Sequence, residues 1–502
     1  MHGRDLGKSV FSVSLAPTHN CSTRTSARAK NRSENQMAAD RETVARNSTM
    51  AKDAASKDDF ESQTYLKVTW RLLPFIGVCY FVAYLDRVNV GFAKLQMLSD
   101  LKLSEVAYGF GAGVFFVGYF LFEVPSNLIM HRVGARAWIA RIMITWGIIS
   151  AAMAFIGPMA NAVGISVESM FYFMRFLLGA AEAGFFPGII LYFNYWYPSH
   201  RQSNALSLLL AAQPIAFILG APLSGAIMDG FADVGGMHGW QWMYILEAAP
   251  SVVLGLAVFF YLTNGVDDAK WLAQEEKVLL KSNLEGESHH KSDYPLTKLF
   301  SIGMMWVFTT IYLCIVIGVY GISFWLPSII KATGVKSILM VGLITAIPYA
   351  LSVAIMLVVT RNAERTNEKR WHASLAAMLG GLGLILSASF SDSTVLTVLF
   401  ITVANAGSLI AMALFWSFPG SILTGAAVAA GIAAINSVGN LGGFLGPFLL
   451  GWLTERLGSS NWGLAALGCV MIFAGVLIAT TCRAYGLRRE GQHGSSALAA
   501  VH

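Results

Sequence analysis

Long apolar runs alternate with short polar segments from about residue 65 almost to the carboxyl end of the chain. An α-helix needs about 20 apolar residues to cross the hydrocarbon core of a bilayer. The pattern therefore predicts twelve membrane-spanning helices, numbered here spans 1 to 12. Their expected limits are 70–93, 105–129, 137–159, 167–195, 203–228, 241–263, 301–330, 337–360, 372–390, 394–416, 421–454 and 461–482.

The polar segments around these runs divide the chain. Residues 1–64 are rich in Ser, Arg, Lys and Asn without an apolar period, which predicts a disordered leader. The longest internal polar segment, 264–300, is predicted to be a cytoplasmic linker that contains a solvated amphipathic helix. It separates one expected six-helix bundle at 65–263 from a second at 301–486, and a disordered tail is expected at 487–502.

Composition favours a membrane protein and excludes most other classes. Hydrophobic residues make up 55% of the chain and charged residues 13%, whereas soluble domains carry about 25% charge. The net charge of +6 requires no nucleic-acid partner, because cytoplasmic loops of membrane proteins are rich in Lys and Arg. The five cysteines lack the spacing of disulfide or metal sites. The sequence contains no Walker motif, which argues against an ATP-driven pump. We expect an all-α membrane protein that is not an enzyme and has no metal or cofactor.

Basic residues are distributed unequally between the two sets of loops. The side with more Lys and Arg usually faces the cytoplasm. The richer set is Arg71, Arg132, Arg136, Arg201, Arg361, Arg365, Lys369, Arg370, Arg483, Arg488 and Arg489, and the poorer set is Lys94, Lys102, Lys331, Lys336 and Arg456. Both termini and the predicted linker are therefore expected in the cytoplasm, with the chain in the cell (plasma or inner) membrane.

Ionisable residues interrupt the apolar run of span 1. Asp86, Arg87 and Asn89 lie where a lipid-spanning helix is normally apolar. An ionisable group at membrane depth costs roughly 2.5–3.5 kcal/mol on insertion scales, and such groups usually mark a substrate or ion path. In span 4, Arg175 and Glu182 are seven residues apart, so both lie on one helix face. If spans 1 and 4 pack together, four charges that sum to zero meet, and protonation of either carboxylate leaves a positive site for an anion.

Two short patterns occur once in each half of the chain. A basic turn follows span 2 at 131–136 and span 8 at 364–370, and a Gly-Pro segment occurs at 219–225 and again at 445–451. The copies of each pattern are about half of the folded region apart, so we predict two parallel repeats of six spans. Transporters built from such repeats place the substrate site between the halves. Small residues also let helices approach closely, which is compatible with a repeat.

These features resemble the major facilitator superfamily. The basic turns look like its cytoplasmic gate motif, although His131 stands where an aspartate is usual and Asn127 where a glycine is usual. Residues 175–179 resemble the Arg-x-x-x-Gly motif of the superfamily. The gate residues implied by the resemblance are Arg132, Arg136, Glu364 and Arg365.

Within that superfamily, roughly residues 65–485 resemble the anion:cation symporter family, which includes bacterial tartrate, galactonate and 4-hydroxyphenylacetate permeases. The motifs that carry the resemblance, taken together and in order, are residues 84–89, 123–127, 134–141, 182–188, 371–372 and 436–440. The resemblance implies that Asp86 and Glu182 couple protons and that Arg87 binds the substrate anion. The further substrate-contacting residues that it implies are Tyr119, Gln213, Tyr320, Trp416 and Asn436.

Pattern and resemblance together predict a secondary active transporter with the major facilitator fold. It is expected to import a small organic anion, such as a sugar acid, a dicarboxylate or an aromatic carboxylate, together with protons. Its expected partners are that carboxylate, protons and the lipid bilayer, and the protein is expected to be monomeric. The open alternatives are sodium coupling, an antiporter or facilitator, and a receptor built on a transporter fold. For the four charges, the alternative is an ion-pair network that only holds helices together.

Overall fold

The structure is a computed structural model that describes residues 22–285, 302–421 and 426–481. The tail predicted at 487–502 lies outside these residues. The chain divides into two compact units, residues 1–67 and 68–502, and every contact discussed below lies within the second. Regular structure in the described ranges is helical throughout, without strands.

Twelve helices of the described chain are long and apolar enough to cross a membrane, which confirms the predicted number. Large apolar side chains on these helices are exposed, for example Phe260 at 90% and Val395 at 76%, as expected of surfaces that contact lipid. Spans 1 to 12 are Lys57–Leu101, Glu105–Val133, Ala135–Val163, Val167–Phe193, Ser199–Gly230, Gly239–Tyr261, Gly303–Ala332, Ile338–Arg365, Lys369–Ser389, Thr394–Phe415, Gly431–Leu457 and Ser460–Thr481.

Span 1 is part of a longer helix, Ser22–Leu101. The helix thus begins at Ser22, within the segment for which the sequence predicts a disordered leader. The amino-terminal half of this helix contains neither Gly nor Pro and is rich in Ala, Arg, Lys and Glu, which are favourable helix formers. The missing apolar period removes a packing face but does not oppose helix formation. Residues 1–21 lie outside the described chain.

The polar segment between the halves contains a short helix, Gln274–Glu285. Glutamates occupy its first turn, where negative charge is favourable beside the free backbone N–H groups. The backbone N–H of Ala273 donates to Glu276 Oε2 at 2.7 Å, and Leu280 is buried while half of the helix residues are exposed. This agrees with the predicted solvated helix. Residues 286–301 are outside the described ranges.

Four spans are interrupted within their length. In span 4 the interruption is at Gly184, whose φ of 84° lies in the left-handed region that favours glycine. Broken helices are typical of transporter substrate sites. The separate segments are Ala135–Ala152 and Ile156–Val163 in span 3, Val167–Glu182 and Phe185–Phe193 in span 4, Ser199–Leu210 and Ala212–Gly230 in span 5, and Ala426–Gly439 and Gly442–Leu457 in span 11.

Helices pack both within and across the two halves. Span 3 packs on span 6 and span 2 on span 4, while span 9 packs on spans 10 and 12. Across the halves, span 5 packs on span 8 and span 2 on span 11. A Cβ on Gly342 would lie 2.3 Å from Ala221 O, and one on Gly109 would lie 2.5 Å from Pro447 O. Ala221 and Pro447 belong to the two Gly-Pro segments, so these segments lie where the halves meet.

Hydrogen bonds between the halves gather at the face formed by the loops after odd-numbered spans, called here the closed face. Lys94, 5% exposed, lies 3.0 Å from the centre of the Trp325 ring and pairs with Glu105 at 2.7 Å. The Tyr108 hydroxyl donates to Phe324 O at 3.0 Å. Other hydrogen bonds across the halves at this face join Val106 to Glu455, Lys331 to Leu95, and Ser337 and Leu339 to Asp229.

Candidate functional site

Arg87 of span 1 and Glu182 of span 4 form a buried ion pair between Nη2 and Oε1. Their side chains are 12% and 4% exposed. Glu182 is the last residue of the first helical segment of span 4, just before Gly184. A Cβ on Gly184 would lie 2.3 Å from Ser126 Oγ, so glycine is needed there both for its φ and for its size. The local sequence Glu-Ala-Gly thus places this carboxylate at a helix break that faces span 1.

Aromatic rings surround the Arg87 guanidinium. Its Cζ lies 4.8 Å from the centre of the Tyr84 ring, 5.4 Å from Phe115 and 5.7 Å from Tyr119. A desolvated cation–π contact contributes about 2 kcal/mol. Nη1 also donates to the Tyr320 hydroxyl at 3.4 Å. Since Tyr320 belongs to span 7, residues from both halves contact this ion pair.

Asp86 lies outside this ion pair although it adjoins Arg87 in the sequence. Its side chain is 3% exposed, and Oδ2 accepts hydrogen bonds from Trp146 Nε1 at 2.7 Å and Ser251 Oγ at 2.8 Å. Oδ1 accepts from Ser150 Oγ at 3.2 Å and from the neighbouring Asn89 Nδ2 at 3.4 Å. All four donors are neutral. Adjacent residues point about 100° apart around a helix, so the two charges face different spans.

Arg175 also has its own partners. It is 1% exposed and donates from Nε to Gly111 O at 3.3 Å and from Nη2 to Ala112 O at 3.1 Å, both in span 2. The prediction that four charges meet is therefore wrong in its geometry, because only Arg87 and Glu182 contact each other. Hydroxyls and an indole satisfy Asp86, and backbone carbonyls satisfy Arg175. The seven-residue spacing on span 4 did not reveal these partners.

Two predicted residues of the second half lie around Tyr312 of span 7. The Tyr312 hydroxyl donates to Asn436 Oδ1 at 3.3 Å, and the ring centres of Tyr312 and Trp416 are 4.7 Å apart. Phe415 stacks on Tyr312 at 5.3 Å. The sequence interpretation missed Tyr312. Tyr312 lies eight residues before Tyr320, near two helical turns, so both tyrosines lie on one side of span 7. This spacing could have identified Tyr312 from the sequence.

Gln213 is half-buried near the start of the second segment of span 5, Ala212–Gly230. In the described structure no hydrogen bond or ion pair joins it to the other predicted site residues. It does share a feature with Glu182 and Asn436, since each lies within a few residues of a helix interruption.

The predicted gate residues Arg132, Arg136, Glu364 and Arg365 are all exposed on the face opposite the closed face. Among the described residues none of their side chains forms an ion pair with another of the four. The backbone N–H of Arg136 donates to Asn264 Oδ1 at 3.1 Å, which ties the turn after span 2 to the polar segment. In this conformation the halves are joined at the closed face and not through the gate residues.

Two buried acids had no assigned role in the sequence interpretation. Glu123 of span 2 is 7% exposed and forms a hydrogen bond with Ser437 of span 11. Glu247 of span 6 is 1% exposed and accepts from Ser224 Oγ at 2.6 Å. Each is an acid inside an apolar run, the same signal that marked Asp86. Within the described chain, no group of His, Cys, Asp and Glu is arranged to hold a metal ion.

Comparisons with known proteins agree with this architecture. The family model of the Major Facilitator Superfamily matches residues 76–447. A relative from Agrobacterium vitis named "Putative tartrate transporter" is 42% identical over 447 residues, which cover 88% of this chain and 97% of the relative. A relative from Acinetobacter baumannii named "Quinolone resistance transporter" is 40% identical over 425 residues, covering 84% and 95%.

Solved structures show the same fold. The crystal structure of a D-xylose-proton symporter matches with a TM-score of 0.64 and 14% identity, over 82% of this chain and 97% of that chain. At this identity the likeness concerns the fold alone. The family match and the two relatives extend the agreement to the sequence itself. The chain therefore belongs to the major facilitator superfamily of membrane transporters, and its relatives are consistent with the anion:cation symporter family that its motifs resemble.

Proposed function

We propose that this protein is a secondary active transporter, and not an enzyme, that imports a small organic carboxylate together with protons. One observation carries the proposal: the buried Arg87–Glu182 ion pair is surrounded by aromatic side chains and is contacted by Tyr320 from the other half. Such a pair, placed between two repeats, is where a transporter of this fold binds its substrate.

The chemistry of the pair couples a proton to an anion. With Glu182 ionised, its carboxylate occupies the Arg87 guanidinium. Protonation of Glu182 removes that charge, and the guanidinium fork is then free for a substrate carboxylate, which it can bind through two parallel hydrogen bonds. Proton binding and anion binding therefore favour each other. Without protonation, the substrate would have to displace a buried charge and leave it unpaired, at a cost of several kcal/mol.

The remaining predicted residues are proposed to select the substrate. Tyr119 and Tyr320 offer hydroxyls beside Arg87, while Asn436 and Trp416 lie around Tyr312 in the second half. Gln213 is proposed to contact the substrate from span 5. Hydroxyl and amide groups next to an arginine suit a small hydroxylated acid, and the relative named for tartrate supports this class.

A second candidate function is antiport, in which protons entering the cell drive a solute out. The relative named as a quinolone resistance transporter favours it. The same ion pair would serve antiport if the proton and the solute displaced each other. The direction of proton movement during substrate movement separates the two candidates.

We further propose how the protein is arranged in the membrane. The domains would be two bundles at 65–263 and 301–486 joined by the linker 264–300. The basic loops would face the cytoplasm, as would both termini, in the plasma or inner membrane. The protein would act as a monomer.

The test is uptake of labelled tartrate and other organic acids into proteoliposomes, with and without an imposed pH gradient. We expect accumulation that needs an acidic exterior and is lost with a protonophore or with Asp86→Asn or Glu182→Gln. The control Glu168→Gln changes an exposed acid of the same span 4 and should transport normally. Uptake insensitive to the gradient, or accumulation that survives in both variants, would overturn the symport mechanism.

A further inference from the structure

Asp86 and Glu247 are two buried acids connected through one amide side chain. Asn89, one helical turn after Asp86, is fully buried and donates from Nδ2 to Asp86 Oδ1 at 3.4 Å. The Asn89 side chain also interacts with the Glu247 carboxyl group. Ser251, one turn after Glu247, donates to Asp86 Oδ2 at 2.8 Å. The two acids therefore belong to one polar network between spans 1 and 6.

This network has no cation in contact with either carboxyl group among the described residues. The groups that face it from spans 3 and 5 are the neutral Trp146, Ser150 and Ser224. The titratable or charged groups that face it are Tyr244 from span 6 and Glu182 and Arg175 from span 4. Arg175 donates to backbone carbonyls, so it does not neutralise the two acids. Glu182 is itself an acid and pairs with Arg87. Two buried like charges without a paired cation cannot both remain ionised at a tolerable cost.

Hydrogen bonding distinguishes the two acids. Asp86 accepts four hydrogen bonds, an environment that stabilises a carboxylate. Glu247 accepts one at Oε1, while its buried Oε2 and the buried Oδ1 of Asn89 both lack a hydrogen-bond donor. An unsatisfied buried acceptor destabilises the fold. A proton on Glu247 Oε2 removes one of these unsatisfied acceptors.

We propose that Glu247 carries a proton in this conformation and forms with Asp86, through Asn89, a unit that holds one shared proton. This inference rests on the proposed proton coupling and adds a third carboxyl group to it. When Asp86 takes the proton, an O–H bond forms on Asp86 and the O–H bond on Glu247 breaks. The unit holds one proton in both arrangements.

The unit is separate from the Arg87–Glu182 pair that is proposed to bind substrate. Asp86 and Arg87 are adjacent on span 1, so a rotation of this helix that shifts one moves the other. Arrival of a proton at the Asp86–Glu247 unit is thereby transmitted to the substrate site by a rigid helix. Glu247 is a positioning and proton-holding residue in this scheme and does not touch the substrate.

Infrared difference spectroscopy on the purified full-length protein in lipid tests the proposal directly. Wild-type protein at neutral pH should show a protonated-carboxyl band, and Glu247→Gln should lose the equivalent of one carboxyl group from it. Glu168→Gln, the exposed control, should leave the band unchanged. An unchanged band in Glu247→Gln would overturn the proposal. Failure of Glu247→Gln to fold would also contradict it, since glutamine reproduces the neutral acid.

A second variant tests the same proton without removing the acid. Ser224→Ala deletes the hydroxyl that donates to Glu247 Oε1. Because this hydrogen bond stabilises the ionised carboxylate, its loss favours the protonated acid. The protonated-carboxyl band should therefore persist to higher pH than in wild type. A band that disappears at lower pH would overturn the assignment.

Transport measurements separate this inference from the proposed function. In Glu247→Gln, exchange of labelled for unlabelled substrate should continue while gradient-driven accumulation falls. If wild-type protein shows no gradient dependence, the proposed symport fails, and the infrared result still decides where the proton is. If wild-type symport holds and Glu247→Gln accumulates substrate normally, Glu247 has no part in coupling and the proposal fails.

Discussion

At the scale of single residues, a buried charge persists only where its neighbours satisfy it. Asp86 is held by an indole and hydroxyls, Arg175 by backbone carbonyls, and Arg87 by Glu182 and aromatic rings. Of these, the Arg87–Glu182 contact is the one in which protonation of one member releases the other. This difference is why we assign substrate binding to this pair and a purely structural role to the contacts of Arg175.

Removing one member of the pair should cost more stability than removing both charges. Arg87→Gln leaves the Glu182 carboxylate buried without a partner, and breaking such a pair costs about 3–5 kcal/mol. The double variant Arg87→Gln/Glu182→Gln should recover most of that loss. Thermal and chemical unfolding in detergent, analysed as a double-mutant cycle, measures this. If the loss in the double variant equals the sum of the losses in Arg87→Gln and Glu182→Gln, the two charges do not interact.

At the scale of elements, the helix breaks position the site. Gly184 stops the first segment of span 4 directly after Glu182, and the Ser126 side chain fills the space where a Cβ would lie. Ser126 is itself held by a 3.0 Å hydrogen bond from Trp138 Nε1, so it cannot move aside freely. The break therefore fixes the position of the Glu182 carboxylate.

Gly184→Ala should destabilise the protein and impair uptake. A left-handed backbone costs a non-glycine residue about 1–2 kcal/mol, and the contact with Ser126 adds to this. The control Gly77→Ala is a helical glycine of span 1 whose added Cβ would meet nothing within 4 Å, and it should be neutral or slightly stabilising. The melting temperatures and uptake rates of both variants check the prediction. Similar effects in the two variants would show that the break has no special requirement for glycine.

At the scale of the whole molecule, the halves are joined at one face. Lys94 lies against Trp325 and pairs with Glu105, so a buried cation links spans 1, 2 and 7. The gate residues on the other face are exposed and do not pair with one another in the described structure. Alternating access then requires that the closed face separate while the gate forms.

Glu105→Gln should shift the protein towards a state that is open at the closed face. It leaves the buried Lys94 without its carboxylate, and an uncompensated buried charge favours a conformation in which water reaches it. Spin labels at Lys102→Cys and Lys336→Cys, two exposed positions on this face, report the opening in a background without the five native cysteines. We expect longer distances in Glu105→Gln.

Asp267→Asn, which removes an exposed pair with Lys281 on the polar segment between the halves, serves as the matched control for this experiment. Its distance distribution should equal that of the labelled parent. If Glu105→Gln also leaves the distribution unchanged, the Lys94–Glu105 pair does not hold the closed face together.

The sequence by itself determined the twelve spans and the positions of the interrupting residues. Lipid provides no hydrogen bonds, so a run of about 20 apolar residues has to become a helix, and an acid within it stands out. The same reasoning identified Asp86, Arg87, Arg175 and Glu182. It overlooked Glu247, which has the same signal but lies outside the motifs that drew attention.

Only the tertiary structure decided which side chains contact one another. Helix spacing indicates which residues share a face, but the rotation and depth of each span choose its partner. Asp86 and Arg87 are adjacent in the sequence, yet span 1 turns one towards Trp146 and Ser251 and the other towards Glu182. Partner choice depends on the packing of several helices at once, because each buried polar group must be satisfied together with its neighbours. No single segment of the sequence specifies that condition.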